Sequence, residues 1–283
     1  MPPPRRFAVF GHPVAHSLSP AMHAANFRAL GLDAVYERRD VVPETFAAAL
    51  ADYRSGGVNC TIPLKRTAYE ACDRRDASAE RFGVVNTVRF DADGGTTGFN
   101  TDGVGFLRAL EEALRCTPAG RAVFLFGCGG AGRAVAIACA DAGAASLVLA
   151  NRSPVRMTVL ADELRELAPN VPVGVTPAGD PVAWTAACRA ADLVIQCTPL
   201  GLHADDCFPL GADAFRAGQK VYDLVYTAPV TPAMAAARAA GAAAANALGM
   251  LIHQGAASFT IWTGLQADLG AMRQALAEQI IGQ

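Results

Sequence analysis

The sequence predicts an α/β protein built as two α/β domains, the second around a doubly wound parallel sheet, on three observations. Strand-like and helix-like stretches alternate along the chain, the pattern that layers helices against sheets. Four later stretches, AVFLF, SLVLA, DLVIQC and KVYDLV, are almost continuously apolar, as strands of a parallel sheet covered on both faces must be. The length of 283 residues suits about two domains. The first domain is expected over residues 1–103, completed by 246–283, and the second over 104–245.

In chain order, RFAVFG opens as a strand and PAMHAANFRAL follows as a helix with Met22, Ala25 and Leu30 near one face. AVYERRDV alternates like an open strand, and PETFAAALADYR reads as a helix with Pro at its first position. GVNCTI, VVNTVRF and GTTGFN are short strands, and a helix runs from Asp102 to about Leu114. From Arg121 the chain reads strand, glycine loop, helix, strand. A helix near 232–240 and a long helical pattern over 248–267 follow, with Leu251, Ser258, Trp262 and Leu265 on one stripe.

Composition narrows the function classes. With 52% hydrophobic and 18% charged residues the chain is globular. A net charge of −2 gives no electrostatic reason to expect nucleic acid or an anionic membrane. The alanine-rich run 234–252 is broken by Arg238, Gly241 and Asn246 and does not read as a membrane span. The apolar run in MPPPRRFAVFG is too short for a signal peptide. None of the eight cysteines forms a C-x-x-C, so no metal site is expected, and reduced core thiols in the cytoplasm are. Of the 24 basic residues only Lys65 and Lys220 are lysine. Arginine cannot give up its proton near neutrality and lysine can, which singles these two out; Lys220, at the start of its strand, reads as surface charge.

Three stretches carry chemistry. In VFGHPVAHSLSPAMH (9–23) a strand stops at Gly11, and Ser17 and Ser19 precede Pro20 at a helix start. Hydroxyls delivered to a helix N-terminus make an anion site, though the same serines could cap the helix. Gly127-x-Gly129-x-x-Gly132 follows a strand and opens a helix, the fingerprint of a Rossmann-like dinucleotide-binding domain. The second strand of that unit ends in Asn151-Arg152-Ser153 with Arg156 close behind. No carboxylate stands there to repel a 2′-phosphate and two guanidinium groups can bind one, so NADP is expected rather than NAD. In NCTIPLK (59–65), Asn59 and Thr61 share strand parity and Lys65 stands one step into a helix. NTDG puts Asp102 at the mouth of another helix, where capping is the plain alternative.

The motifs VFGHPVAHSLSPAMH, NCTIPLK, VVNTV, GFNTDG, GCGGAGRA, NRS, CTPLG, DLVYTAPVTP and GMLIHQGAASFTIWTG occur in this order from about residue 7 to 265. Together they resemble the shikimate dehydrogenase family. The resemblance implies a small-molecule enzyme, cytoplasmic and a monomer or homodimer, that reduces 3-dehydroshikimate to shikimate with NADPH in aromatic amino-acid (chorismate) biosynthesis. It implies an N-terminal substrate domain, to which the C-terminal helices return, and an active site in the cleft beside the nucleotide domain. Lys65 and Asp102 are implied as the catalytic pair, and Ser17, Ser19 and Tyr226 as ligands of the substrate carboxylate. Asn59, Thr61, Asn86 and Gln254 are implied on the ring hydroxyls and carbonyl. Gly127, Cys128, Gly129, Gly130, Ala131, Gly132, Asn151, Arg152, Ser153, Arg156, Leu224 and Ala247 are implied around the cofactor. His12, His16 and His253 are given no catalytic role. Gln196, Leu202, Thr227 and Asn246-Ala247 depart from the family's pattern. A quinate/shikimate dehydrogenase with relaxed substrate or cofactor choice, and a non-catalytic NADP-binding sensor, remain open as alternatives.

Overall fold

The computed structural model describes residues 3–203 and 205–281. They form two compact units, one reaching Gly105 and resuming at Leu251, the other Phe106–Met250.

The first unit is a six-stranded mixed sheet. β1 (Arg5–Gly11) pairs in parallel with β2 (Ala34–Asp40) and with β3 (Gly57–Cys60). The helix α1 (Ser19–Ala29) makes the first crossover. The second uses α2 (Phe46–Leu50), a single turn flanked by 3₁₀ turns at Pro43–Thr45 and Ala51–Tyr53. The continuous helix expected over PETFAAALADYR is therefore broken. Its anchors are Phe46, Leu50 and Tyr53, and the alanines between them give little apolar area to hold a longer helix. Beyond β3 come α3 (Lys65–Ala71), β4 (Arg74–Arg75) and α4 (Ala77–Phe82). Sequence patterning did not show α4, although Asp76 caps it by accepting from the Ser78 and Ala79 N–H groups. β5 (Thr87–Phe90) and β6 (Thr96–Phe99) form a hairpin antiparallel to β3, giving the order β2-β1-β3-β5-β6-β4.

In α1 the inward residues are Met22, His23, Ala25, Asn26 and Phe27. Leu30, expected on that face, is 37% exposed because the helix has already ended. The C-terminal part of the unit is α10 (Leu248–Thr263) and α11 (Leu269–Ile281). Gly264, at φ +74°, stops α10 before Leu265, which is exposed, while Leu251, Ser258 and Trp262 are buried as expected.

The chain leaves the first unit within α5 (Asp102–Leu114) and returns within α10. Between them lies a wholly parallel sheet in the order β12-β11-β10-β7-β8-β9. β7 (Ala122–Phe126) is central, β8 (Ser146–Ala150) and β9 (Val173–Val175) lie to one side, and β10 (Leu193–Gln196), β11 (Lys220–Asp223) and β12 (Ala243–Asn246) to the other. The helices α6 (Gly130–Asp141), α7 (Pro154–Leu167), α8 (Pro181–Ala190) and α9 (Pro232–Ala239) make four of the five crossovers, and a 3₁₀ turn at Ala212–Ala214 lies in the connection from β10 to β11. This is the doubly wound arrangement, with its switch point between β7 and β10. The alanine-rich run 234–252 divides among α9, β12 and α10, and no described helix is long and apolar enough to cross a membrane.

Candidate active site

Lys65 opens α3 and Asp102 opens α5. Helix starts are rigid supports for side chains that must meet across a gap. The Lys65 ammonium donates to Asp102 Oδ2 at 2.6 Å. The carboxylate is nearly buried and the ammonium about a third exposed, at 7% and 30% of their side chains. Asp102 Oδ1 accepts from Asn86 Nδ2 at 3.0 Å. The plain capping role for Asp102 thus gives way to an ion pair whose acid is clamped from both sides. That geometry holds one ammonium at a fixed point.

Asn86 stands just before β5 rather than in it, 2% exposed. Its Oδ1 accepts from the Thr101 backbone N–H at 2.9 Å, a donor that cannot rotate, and this sets the amide's direction. The Nδ2 then faces Asp102, Thr101 Oγ1 at 2.9 Å and Gln254 Oε1 at 3.2 Å. Asn59, on β3, accepts from Tyr36 Oη at 2.7 Å and donates to the Asn86 carbonyl and to Thr87 and Ser258. Asn59, Asn86 and Gln254 are 195 residues apart at the extremes and share one hydrogen-bonded cluster with the ion pair.

Thr61 lies beyond the end of β3, so the strand parity expected between it and Asn59 does not apply; its backbone N–H still donates to the Phe10 carbonyl. Ser17 and Ser19 sit at the head of α1, where Leu18 is the N-cap and makes no side-chain cap bond. Ser17 Oγ instead accepts from the Ser19 N–H at 3.3 Å, and Arg38 Nε holds the Ser17 carbonyl at 2.8 Å. Tyr226 follows β11 in the second unit, and burial raises its phenol above the ordinary range. Sequence reasoning missed Thr87, Thr101 and Ser258. Thr101 was adjacent to Asp102 in NTDG, but nothing in the string marks a threonine as an amide's partner.

The second unit carries the nucleotide features. Gly127 turns at φ +113°, and a Cβ at Gly132 would overlap the Gly127 carbonyl oxygen, so the start of α6 packs closely on the loop after β7. Nothing lies within 4 Å of where a Cβ would stand at Gly129 and Gly130, which leaves the backbone at the helix start open to approach. Gly127, Cys128, Gly129, Asn151, Arg152 and Arg156 line one cavity of about 430 Å³, together with Trp184 and residues 197–200. A 12-residue helix with an open glycine start and two arginines beyond the next strand is a cradle that fits NADP. Ala131 is exposed in the first turn of α6, and burial raises the Cys128 thiol to about 11. Ser153 caps α7 by accepting from the Arg156 N–H. Leu224 donates its N–H to the Gln196 carbonyl, and Ala247 is buried.

Two departures from the family's pattern have structural work. Gln196 donates to the Thr198 and Leu200 carbonyls and accepts from the Thr198 N–H at 2.7 Å, bracing the loop on the cavity wall. Asn246 accepts from the Leu248 N–H and donates to the Ala228 carbonyl. Nothing in the structure explains Thr227.

Residues 9–88 match the shikimate dehydrogenase substrate binding domain, and residues 248–277 match the shikimate 5′-dehydrogenase C-terminal domain. The shikimate dehydrogenase (NADP(+)) of Methanopyrus kandleri is 43% identical over 277 residues, covering 96% of this chain and 94% of its own. The solved shikimate 5-dehydrogenase of Thermus thermophilus, in complex with NADP(H) and shikimate, superposes with a TM-score of 0.84 at 39% identity, over 97% of this chain and 99% of its own. The quinate dehydrogenase of Corynebacterium glutamicum, in complex with NAD, gives a TM-score of 0.89 at 31% identity with the same coverages of 97% and 99%. On identity and coverage of this order, the chain belongs to the shikimate dehydrogenase family.

Proposed function

We propose that this chain is an NADP-dependent oxidoreductase that interconverts 3-dehydroshikimate and shikimate. The observation that carries the reading is the Lys65–Asp102 pair, 2.6 Å apart and tied through the Asn86 carboxamide to that of Gln254. NADPH, when bound, supplies the hydride. Lys65 faces the substrate oxygen, stabilises the negative charge that develops on it and gives it a proton; in the reverse direction it takes that proton back. Asp102 keeps the ammonium in place, and Asn86 keeps the carboxylate from turning. Ser17 and Ser19 donate hydroxyl hydrogens to the substrate carboxylate, while Asn59, Thr61, Asn86 and Gln254 read the ring oxygens. Carboxamides suit this task because each offers a donor and an acceptor in a fixed plane.

On the cofactor side, the glycine loop receives the pyrophosphate and Arg152 and Arg156 take the 2′-phosphate, supported by their place on the cavity wall. Replacing both arginines by alanine raises KM for NADP⁺ roughly 10- to 100-fold, the size expected for losing charged hydrogen bonds, and leaves KM for NAD⁺ nearly unchanged. Equal losses for both cofactors would remove the phosphate role. As part of the same reading the protein works in the cytoplasm as a monomer or homodimer, which light scattering of the purified chain decides.

The deciding assay is absorbance of the reduced nicotinamide with shikimate and quinate, each with NADP⁺ and NAD⁺. Shikimate with NADP⁺ is the fastest pair. Faster turnover of quinate with NAD⁺ would move the chain to the quinate branch, and no turnover with any pair would leave only a nucleotide-binding role.

A further inference from the structure

Ser258 lies one turn beyond Gln254 on α10, and its side chain is fully buried. A serine hydroxyl inside a helix has a ready partner in its own helix, and here Oγ donates to the Gln254 carbonyl at 3.0 Å. Its lone pairs then face the sheet. Asn59 Nδ2 donates to Ser258 Oγ at 3.0 Å, and the hydroxyls of Thr87 and Thr101 lie 2.8 and 3.3 Å from it. One oxygen therefore joins β3, β5, the turn before α5, and α10.

The directions within this cluster follow from its fixed members. The Thr101 backbone N–H holds Asn86 Oδ1 at 2.9 Å. Asn86 Nδ2 thereby faces Thr101 Oγ1, Asp102 and Gln254, which makes the Gln254 oxygen an acceptor and directs its NH₂ away from Asn86. Tyr36 holds Asn59 Oδ1, so the Asn59 NH₂ points inward to the Asn86 carbonyl, Thr87 and Ser258. A Ser258 hydroxyl whose hydrogen goes to the Gln254 carbonyl accepts from Asn59 and from the Thr87 hydroxyl, so the 2.8 Å contact between the two oxygens carries a hydrogen.

Resting on the shikimate-dehydrogenase reading, we infer that Ser258 is a positioning residue, setting the planes of the carboxamides that read the substrate ring without touching the substrate itself. It binds Asn59 and the Gln254 backbone directly, and it meets Asn86 through the Thr101 hydroxyl, which accepts from Asn86 Nδ2. The resemblance implies roles for the amides; the serine that holds them in register is read from the hydrogen bonds of this cluster.

The test is steady-state kinetics of Ser258→Ala and Ser258→Cys beside the wild-type enzyme. Alanine removes the hydroxyl and leaves a small void, whereas cysteine keeps the volume and gives only a weak acceptor. Both variants are expected to raise KM for shikimate roughly 3- to 15-fold, the loss of about one hydrogen bond's orientation. KM for NADP⁺ and the thermal midpoint stay near wild type, because Asn59 keeps its other partners. A cysteine variant that restores the wild-type KM would reduce Ser258 to packing and overturn the inference. So would an unchanged KM in both variants, or a parallel rise in both substrates' KM with a fallen thermal midpoint. The wild-type arm separates the two levels: if it does not oxidise shikimate, the functional reading fails, whereas failure of the variants alone leaves that reading standing.

Discussion

Lys65→Met lowers kcat by roughly four to six orders of magnitude while the protein still binds NADPH. Two losses combine. Removing a positioned proton donor costs about 10²- to 10⁴-fold, and removing the charge that meets the developing alkoxide costs roughly another 10²-fold. Methionine keeps the length and apolar stem of lysine, so packing at the start of α3 survives. The change also leaves the Asp102 carboxylate, 7% exposed at its side chain, without its cation. Breaking a fully buried pair costs about 3–5 kcal/mol. Here the Lys65 side chain is 30% exposed and water can replace part of the ammonium, so the cost is smaller, roughly 1–3 kcal/mol. Cofactor fluorescence titration establishes binding, thermal denaturation establishes folding, and stopped-flow absorbance with 3-dehydroshikimate gives the rate. Turnover within tenfold of wild type would take Lys65 out of the chemistry.

The second large effect concerns acid stability and a residue outside the catalytic cluster. His23 is completely buried on α1, its ring stacked on Tyr36 with centroids 4.3 Å apart and planes 6° from parallel. Among the described residues neither ring nitrogen has a hydrogen-bond partner. Burial pushes the imidazole down to about 3, against 6.5 for the free side chain. Below about pH 6.5 the unfolded chain takes up a proton that the folded chain refuses, so stability falls with falling pH until about pH 3, where the folded form titrates too. At about pH 4.5 this single group removes about 2–3 kcal/mol relative to neutrality, on the order of 100-fold in the folding equilibrium. His23→Leu eliminates that part of the acid limb. Denaturant unfolding at about pH 7.5 and about pH 4.5 checks it: the wild type loses about 2–3 kcal/mol more than the variant between the two. Parallel losses would mean that the imidazole gains a proton or a partner inside the fold.

Much of the second unit was legible from the string because its signals are local. Continuous apolar runs mark strands buried on both faces, and three glycines at fixed spacing mark the turn, the close approach and the helix contact. Asn151, Arg152 and Arg156 follow the second strand directly, so proximity in sequence is proximity in space. The first unit yielded less. α4, six residues long, has little periodicity to detect, and PETFAAALADYR looked like one helix because alanine propensity hides how few anchors it has. The serines at the head of α1 left an anion site and a cap open as alternatives, and the backbone put Leu18 at the N-cap position.

The string alone determined which groups are present: one scarce amine in a chain of arginines, a carboxylate at a helix start, a phosphate-type glycine loop, and basic residues where an acid would choose the other dinucleotide. Side-chain chemistry and local spacing suffice for those, because each depends on a few consecutive residues. Only the fold decided that Lys65 and Asp102 face each other, that α10 brings Gln254 and Ser258 back to strands formed some 170 residues earlier, and that the amides point the way they do. Hydrogen-bond direction depends on partners distant in sequence, and a buried group's charge on how much water the packed chain leaves it.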